Sequence, residues 1–184
     1  MLKLRQGPSP YQTGVAMVGA RPGDRVLVIG STDPGLPAAL SLVTGLTGEV
    51  RAVDRAPGAA QRIASAAAKA GALVEFDDAP PTRLPFDAGA FDVAVINRRL
   101  SSLAEAERTP CAAEALRILR PGGRLVAIDA VPRTGLFGLL TQARATLTAD
   151  LLRDILTRAG CRATRVLGEA DGIIYMEAAA ARGN

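Results

Sequence analysis

The sequence predicts a doubly wound α/β domain built on a seven-stranded sheet, mostly parallel with an antiparallel last strand. Three observations predict it. Short β-branched apolar runs alternate with helix-length segments from Val26 onward, the order that lays parallel strands side by side through crossover helices. Gly and Pro mark nearly every changeover, where stops, caps and turns need them. The last two strand segments are joined only by Gly168-Glu169-Ala170-Asp171-Gly172, too short for a parallel crossover but sufficient for an antiparallel pair.

Residues 1–24 read as a polar lead-in, with a short helix near Val15 to Val18 that ends at Gly19, followed by the turn Arg21-Pro22-Gly23-Asp24. Val26 to Ile29 is a continuous apolar run, as a central strand buried on both faces requires. A glycine-containing loop leads to a helix from Pro37 to Leu46, because proline suits a first helical turn. Val50 to Val53 is the second strand, and Pro57 to Ala70 the next helix, ended by Gly71. Leu73 to Phe76 is the third strand and Val93 to Ile96 the fourth. A helix from Pro110 to Leu119 stops before Pro121-Gly122-Gly123. Leu125 to Ile128 is the fifth strand. Thr148 caps a helix through Ala159 that Gly160 ends. Ala163 to Leu167 and Ile173 to Glu177 complete the sheet.

The chain of 184 residues has the length of one domain, with no internal repeat or interdomain linker, so residues 1–184 read as a single domain. Its 48% hydrophobic content supplies a core. No apolar run approaches the ~20 residues that span a bilayer. No apolar segment follows the charges of residues 1–8, so a secretory signal is not expected and a cytoplasmic location is. Of the 22 basic residues only Lys3 and Lys69 are lysines, and the net charge is +4. The arginines reflect either coding bias or an anionic partner suited to guanidinium forks. With no basic tail or block, bias is favoured and there is no strong nucleic-acid signal.

The chain has no histidine, which removes imidazole bases, Ser-His and Cys-His nucleophiles and His-ligated metals. No metal is expected. Cys111 and Cys161 form no C-x-x-C pattern and read as small buried hydrophobes.

In an open α/β sheet, ligands bind beyond the carboxyl ends of the strands at the switch point. The first loop there is Gly30-Ser31-Thr32-Asp33-Pro34-Gly35. Its spacing is that of a phosphate loop, but Leu36-Pro37 follow where Lys and Ser/Thr are needed. It is a ligand loop or a plain strand-to-helix turn. Asp54, at the end of the second strand, can accept from the ribose hydroxyls of an adenosine, or cap the next helix, or pair with Arg51 or Arg55. Asp77-Asp78-Ala79 offers a carboxylate to an adenine amino group beside a small residue, or is a solvated loop.

Leu84-Pro85-Phe86, then Phe91-Asp92 before a strand, then Glu114 to Leu125 through Pro121-Gly122-Gly123, resembles the class I methyltransferases of the ubiquinone/menaquinone-biosynthesis type (methyltransferase type 11). The resemblance runs from about Gly23 to Glu177. It implies a Rossmann-like fold and S-adenosylmethionine as cofactor. It also implies that Gly30, Ser31 and Thr32 line the methionine part, and that Asp54 holds the ribose with Arg55 beside it. Asp78 and Ala79 would flank the adenine, with Asn97 and Arg98 facing the methyl group. The pattern departs at Val28, where the family usually has an acid, at Thr32, where it usually has a second glycine, and at Asp33-Pro34-Gly35. No general base is identified; Tyr11 is a lid candidate. A short-chain reductase is disfavoured because Ala179 stands where Tyr175 would need a lysine.

Two functions follow: a methyltransferase with an open, uncapped substrate site, or a non-catalytic binding or assembly subunit of the same fold. The short lead-in and the modest stretch between Asp129 and Thr148 give the open site. It suits a large substrate, a lipid headgroup or a partner protein; whether the substrate is a small molecule, a lipid-like molecule or a macromolecule stays open. Leu136 to Leu140, flanked by Arg133 and Arg144, touches a membrane surface, lines an apolar pocket or packs on its own domain.

Overall fold

A computed structural model describes residues 11–131 and 147–179. The elements run α1 (Gln12–Val18), β1 (Arg25–Ile29), α2 (Gly35–Thr44), β2 (Glu49–Val53), α3 (Ala59–Ala70), β3 (Glu75–Asp77), β4 (Phe91–Asn97), α4 (Glu105–Arg117), β5 (Leu119–Ala130), α5 (Ala149–Arg158), β6 (Ala163–Ala170) and β7 (Ile173–Ala179). One seven-stranded sheet has the order β3-β2-β1-β4-β5-β7-β6. β1 pairs parallel with β2 and β4, β2 with β3, and β4 with β5, whereas β7 runs antiparallel to both β5 and β6. The expected alternation and antiparallel strand are both present.

Alternation along β1 divides the core. Val26 and Val28 join the apolar layer shared with Val18, Leu36 and Leu40 of α1 and α2. Leu27 and Ile29 join the layer shared with Ala112 and Ala115 of α4 and Leu152 and Leu156 of α5. Val26, Leu27, Val28 and Ile29 are all fully buried, which explains the unbroken apolar run. Their burial anchors the carboxyl end of the central strands, where the loops carry the chemistry.

Several boundaries differ from the sequence reading. α2 begins at Gly35, so Pro37 lies within its first turn, where its missing N–H has no helical partner to lose. α3 begins at Ala59, because Gly58 turns the chain in the left-handed region at φ +71°. β3 is Glu75–Asp77, not Leu73 to Phe76: the Ser41 hydroxyl donates to the Leu73 carbonyl and accepts from its N–H, holding Leu73 outside the ladder. α4 begins at Glu105 and contains Pro110, whose lost partner carbonyl belongs to the exposed Ala106 and can bind water. Pro121-Gly122-Gly123 does not precede β5 but bulges within it. Phe91 faces Leu119 and Val93 faces Arg124, so four residues of β5 oppose one of β4. The last hairpin turns on Asp171-Gly172 alone, with φ +54° and +75°, as a type I′ turn requires.

Arg124 of β5 ties α1 to the sheet. Its guanidinium donates to the carbonyls of Val18 and Gly19 at the end of α1 and lies 3.4 Å from Glu177 of β7. Among the described residues, no helix is long and apolar enough to cross a membrane. Leu136 to Leu140, with the flanking Arg133 and Arg144, lies outside the described residues.

Candidate functional site

β1 ends at Ile29 and the chain turns at Gly30, φ +105°. A Cβ on Gly30 would sit 2.6 Å from the Asn97 carbonyl oxygen and 3.3 Å from Arg99 Cβ. The ends of β1 and β4 therefore touch through a position that admits only glycine. Asn97 is buried, and its amide donates to the Asp33 carbonyl at 3.2 Å and to the Gly30 carbonyl at 3.5 Å. One side chain at the end of β4 thus fixes the path of the loop after β1.

Asp54 is 4% exposed at the end of β2. Its Oδ2 accepts from the Ser31 N–H at 2.8 Å and the Ser31 hydroxyl at 2.6 Å. Its Oδ1 accepts from the N–H groups of Arg55 (2.8 Å) and Ala56 (3.1 Å). Burial alone would raise the Asp54 pKa, but the Ser31 donors, the Arg99 charge and the Ala56 N–H hold it below the ordinary carboxylate range. Two arginines that the local sequence pattern did not single out complete this group. Arg62 of α3 donates to the Ser31 hydroxyl at 3.1 Å. Arg99 lies 3.6 Å from Asp54 Oδ1, and its buried Nε has no hydrogen-bond partner among the described residues.

Gly30, Ser31, Asp54 and Asn97 thus converge at the carboxyl ends of β1, β2 and β4. Thr32 is exposed, its side chain outside this buried group. Asp78 and Arg55 face each other 3.7 Å apart as an exposed pair at the rim, and Ala79 is buried in the core beneath. Such an exposed pair contributes little energy.

Arg98 is half-buried, with a left-handed backbone at φ +52° fixed by its N–H donating to the Ile128 carbonyl at 2.7 Å. Asp33, on the first loop, feels its charge. Burial raises the Asp33 pKa against the lowering effects of the Gly35 N–H, the Arg98 charge and the Tyr11 hydroxyl. The Tyr11 ring lies against Gly35, where any Cβ would overlap it. Tyr175, on β7 opposite Ile128, is pushed above the ordinary phenol pKa by burial and by the charges of Asp33 and Asp171.

A different groove, of about 350 Å³, is lined by Leu42, Leu46 and Leu73 with Glu49 and Glu75. It lies at the amino ends of β2 and β3, the opposite end of the sheet from these loops. Among the described residues, no group of three or more His, Cys, Asp or Glu side chains is placed to hold a metal ion.

The sheet order, with its antiparallel β7, is that of a class I methyltransferase fold. A methyltransferase domain family matches residues 26–123, and the chain belongs to that family. It is 31% identical over 171 residues to an uncharacterized protein of Mycobacterium tuberculosis, covering 90% of this chain and 59% of that one. It is 37% identical over 115 residues to a demethylmenaquinone methyltransferase of Thermus thermophilus, covering 55% and 51%. The crystal structure of a SAM-dependent methyltransferase from Aquifex aeolicus superposes with a TM-score of 0.77 at 20% identity, covering 92% of this chain and 89% of that one. The chain spans about half the length of the curated relatives it matches. S-adenosylmethionine is the cofactor that the family implies.

Proposed function

We propose that this chain is an S-adenosylmethionine-dependent methyltransferase domain whose cofactor lies across the carboxyl ends of β1, β2 and β4. The observation that carries this reading is the buried Arg99 Nε, without an acceptor among the described residues, on the guanidinium that flanks buried Asp54. An unsatisfied buried donor costs about 1–3 kcal/mol. A site completed by a ligand explains why such a cost persists. A ribose hydroxyl both donates and accepts, so it suits a carboxylate beside a guanidinium.

In this reading Asp54, with Arg55 beside it and Arg99 opposite, holds the ribose. Asp78 and Ala79 flank the adenine. Gly30, Ser31 and Thr32 line the methionine part, and Asn97 and the backbone of Arg98 stand at the methyl end. When bound, S-adenosylmethionine supplies a methyl group on a positively charged sulfur. The chain's contribution is then position: Asn97 locks the first loop, and Arg98 is fixed by its bond to Ile128. In this reading the substrate site is open, and the Thermus relative's name makes demethylmenaquinone the first acceptor to assay.

A second reading, a non-catalytic binding or assembly subunit, is favoured by one observation. Four protein donors already occupy the acceptor positions of Asp54, so a ribose hydroxyl must displace the Ser31 hydroxyl. Calorimetric titration with S-adenosylmethionine and S-adenosylhomocysteine tests the choice. Dissociation constants of about 100 μM or tighter, roughly 5.5 kcal/mol of binding, support the enzyme. No binding at millimolar ligand supports the subunit.

A further inference from the structure

S-adenosylmethionine ends in an α-amino acid, so its head group carries one positive and one negative charge. A site for it needs an anion and a cation close together but not spent on each other. β1 offers no anion, because Val28 is fully buried in the apolar layer against α1 and α2. Asp54 accepts from four protein donors. Asp129, at the end of β5, is fully buried and accepts from the N–H groups of Ser101 at 3.0 Å and Ala130 at 2.8 Å.

Asp33 differs from both. It is half-buried on the loop that follows β1, accepting from the Gly35 N–H and the Tyr11 hydroxyl. A carboxylate has about four acceptor positions, so Asp33 keeps capacity that Asp54 lacks, and its partial exposure leaves it reachable where fully buried Asp129 is not. The Tyr11 ring against Gly35 and the Asn97 amide on the Asp33 carbonyl hold this residue in place. Arg98 directly follows Asn97, whose amide donates to the Asp33 carbonyl at 3.2 Å, and the Arg98 charge bears on the Asp33 carboxylate. Among the described residues the two form no direct ion pair. Arg98 also keeps a left-handed backbone, φ +52°, that a residue of its kind seldom adopts. Strain of this kind gathers at ligand sites.

Resting on the cofactor reading above, we propose that Asp33 and Arg98 receive the zwitterionic end of the ligand, Asp33 taking the ammonium and Arg98 the carboxylate. Asp33 thereby does the work of an acid that β1 lacks, from five residues further along the chain. Burial disfavours the ionised form of Asp33, and an ammonium supplies the positive partner that offsets this.

The test pairs protein variants with truncated ligands. Four probes are titrated calorimetrically into the whole chain: S-adenosylhomocysteine, its deaminated analogue, its decarboxylated analogue, and 5′-methylthioadenosine, which lacks the amino acid altogether. The variants are Asp33→Asn, which keeps an oxygen for the Gly35 N–H, and Arg98→Asn, chosen because asparagine tolerates a left-handed backbone. Asp33→Asn should weaken S-adenosylhomocysteine by about tenfold or more, yet leave the deaminated analogue and 5′-methylthioadenosine unchanged. Arg98→Asn should show the same loss for S-adenosylhomocysteine and none for the decarboxylated analogue. Equal losses across all four probes would mean a structural effect and overturn the assignment. Unchanged S-adenosylhomocysteine affinity in both variants would overturn it while leaving the cofactor reading intact. If no probe binds the parent protein, the cofactor reading fails and the assignment with it.

Discussion

Asp54→Asn should cost about 2–4 kcal/mol of folding stability at pH 7. The Asp54 carboxylate takes four protein donors, two on each oxygen. The amide keeps one oxygen and sets an NH₂ group against the other two donors. If its oxygen stays with Ser31, the N–H groups of Arg55 and Ala56 lose their acceptor, and these lie near the surface where water replaces part of the loss. Each hydrogen bond to a charged group contributes about 1.5–3 kcal/mol, which gives the range. The pH dependence has a definite sign. Burial acts to raise the Asp54 pKa, but the donors from Ser31 and the Arg99 charge outweigh it and hold the value below the ordinary one. Its stabilisation is therefore present above the unfolded carboxyl value of about 3.9 and is lost as pH falls through the folded value. The gap between parent and variant should narrow on acidification below about pH 4. The chain contains no tryptophan, so urea unfolding is followed by far-ultraviolet circular dichroism at several pH values. A gap under about 1 kcal/mol at pH 7, or one that stays constant into acid, would refute the reasoning.

Gly30→Ala should destabilise the fold by about 2 kcal/mol or more, since its Cβ would meet the Asn97 carbonyl at 2.6 Å from a backbone at φ +105°; an unaltered thermal midpoint would show that the two loops can separate freely. Asp33→Asn should have the opposite effect on stability. The folded pKa of Asp33 is raised by burial, so the favourable protonated form is fully present below about pH 3.9 and lost as pH rises through the folded value. The variant, always neutral, should be at least as stable as the parent at pH 7 while binding S-adenosylhomocysteine less well. Melting curves at pH 3 and pH 7 check this, and a clear loss of midpoint at pH 7 would contradict it.

The fold was legible because alternation and burial say the same thing. Val26 to Ile29 can be apolar throughout only in a strand covered on both faces, and the brief final connection permits no parallel return. Boundaries were less legible where a distant group decides them. Nothing near Leu73 announces that Ser41 will hold it off the sheet edge. Nothing in Pro121-Gly122-Gly123 distinguishes a turn before a strand from a bulge inside one, because that depends on the register against β4. In the site, Gly30 and Asp54 were visible by their places after β1 and β2. Arg62 and Arg99 were not, since a guanidinium's reach across the fold leaves no local pattern. Asp33 was visible only as an oddity of the first loop, and its relation to Arg98 appears only once β1 and β4 lie side by side.

The clamp of Arg124 on the end of α1 makes that helix a strut. Its seven residues span about 10 Å. One end is pinned by a guanidinium on β5, and the other presents Tyr11 to Gly35 and Asp33. Gly19 makes the pinning possible, since a side chain there would place its first carbon 2.8 Å from the Arg124 nitrogen. The tightness with which Tyr11 presses on the first loop is thus set at the far end of the helix, about 10 Å away. A substitution at Arg124 or Gly19 would release that pressure and loosen the loop without touching a single residue of the site.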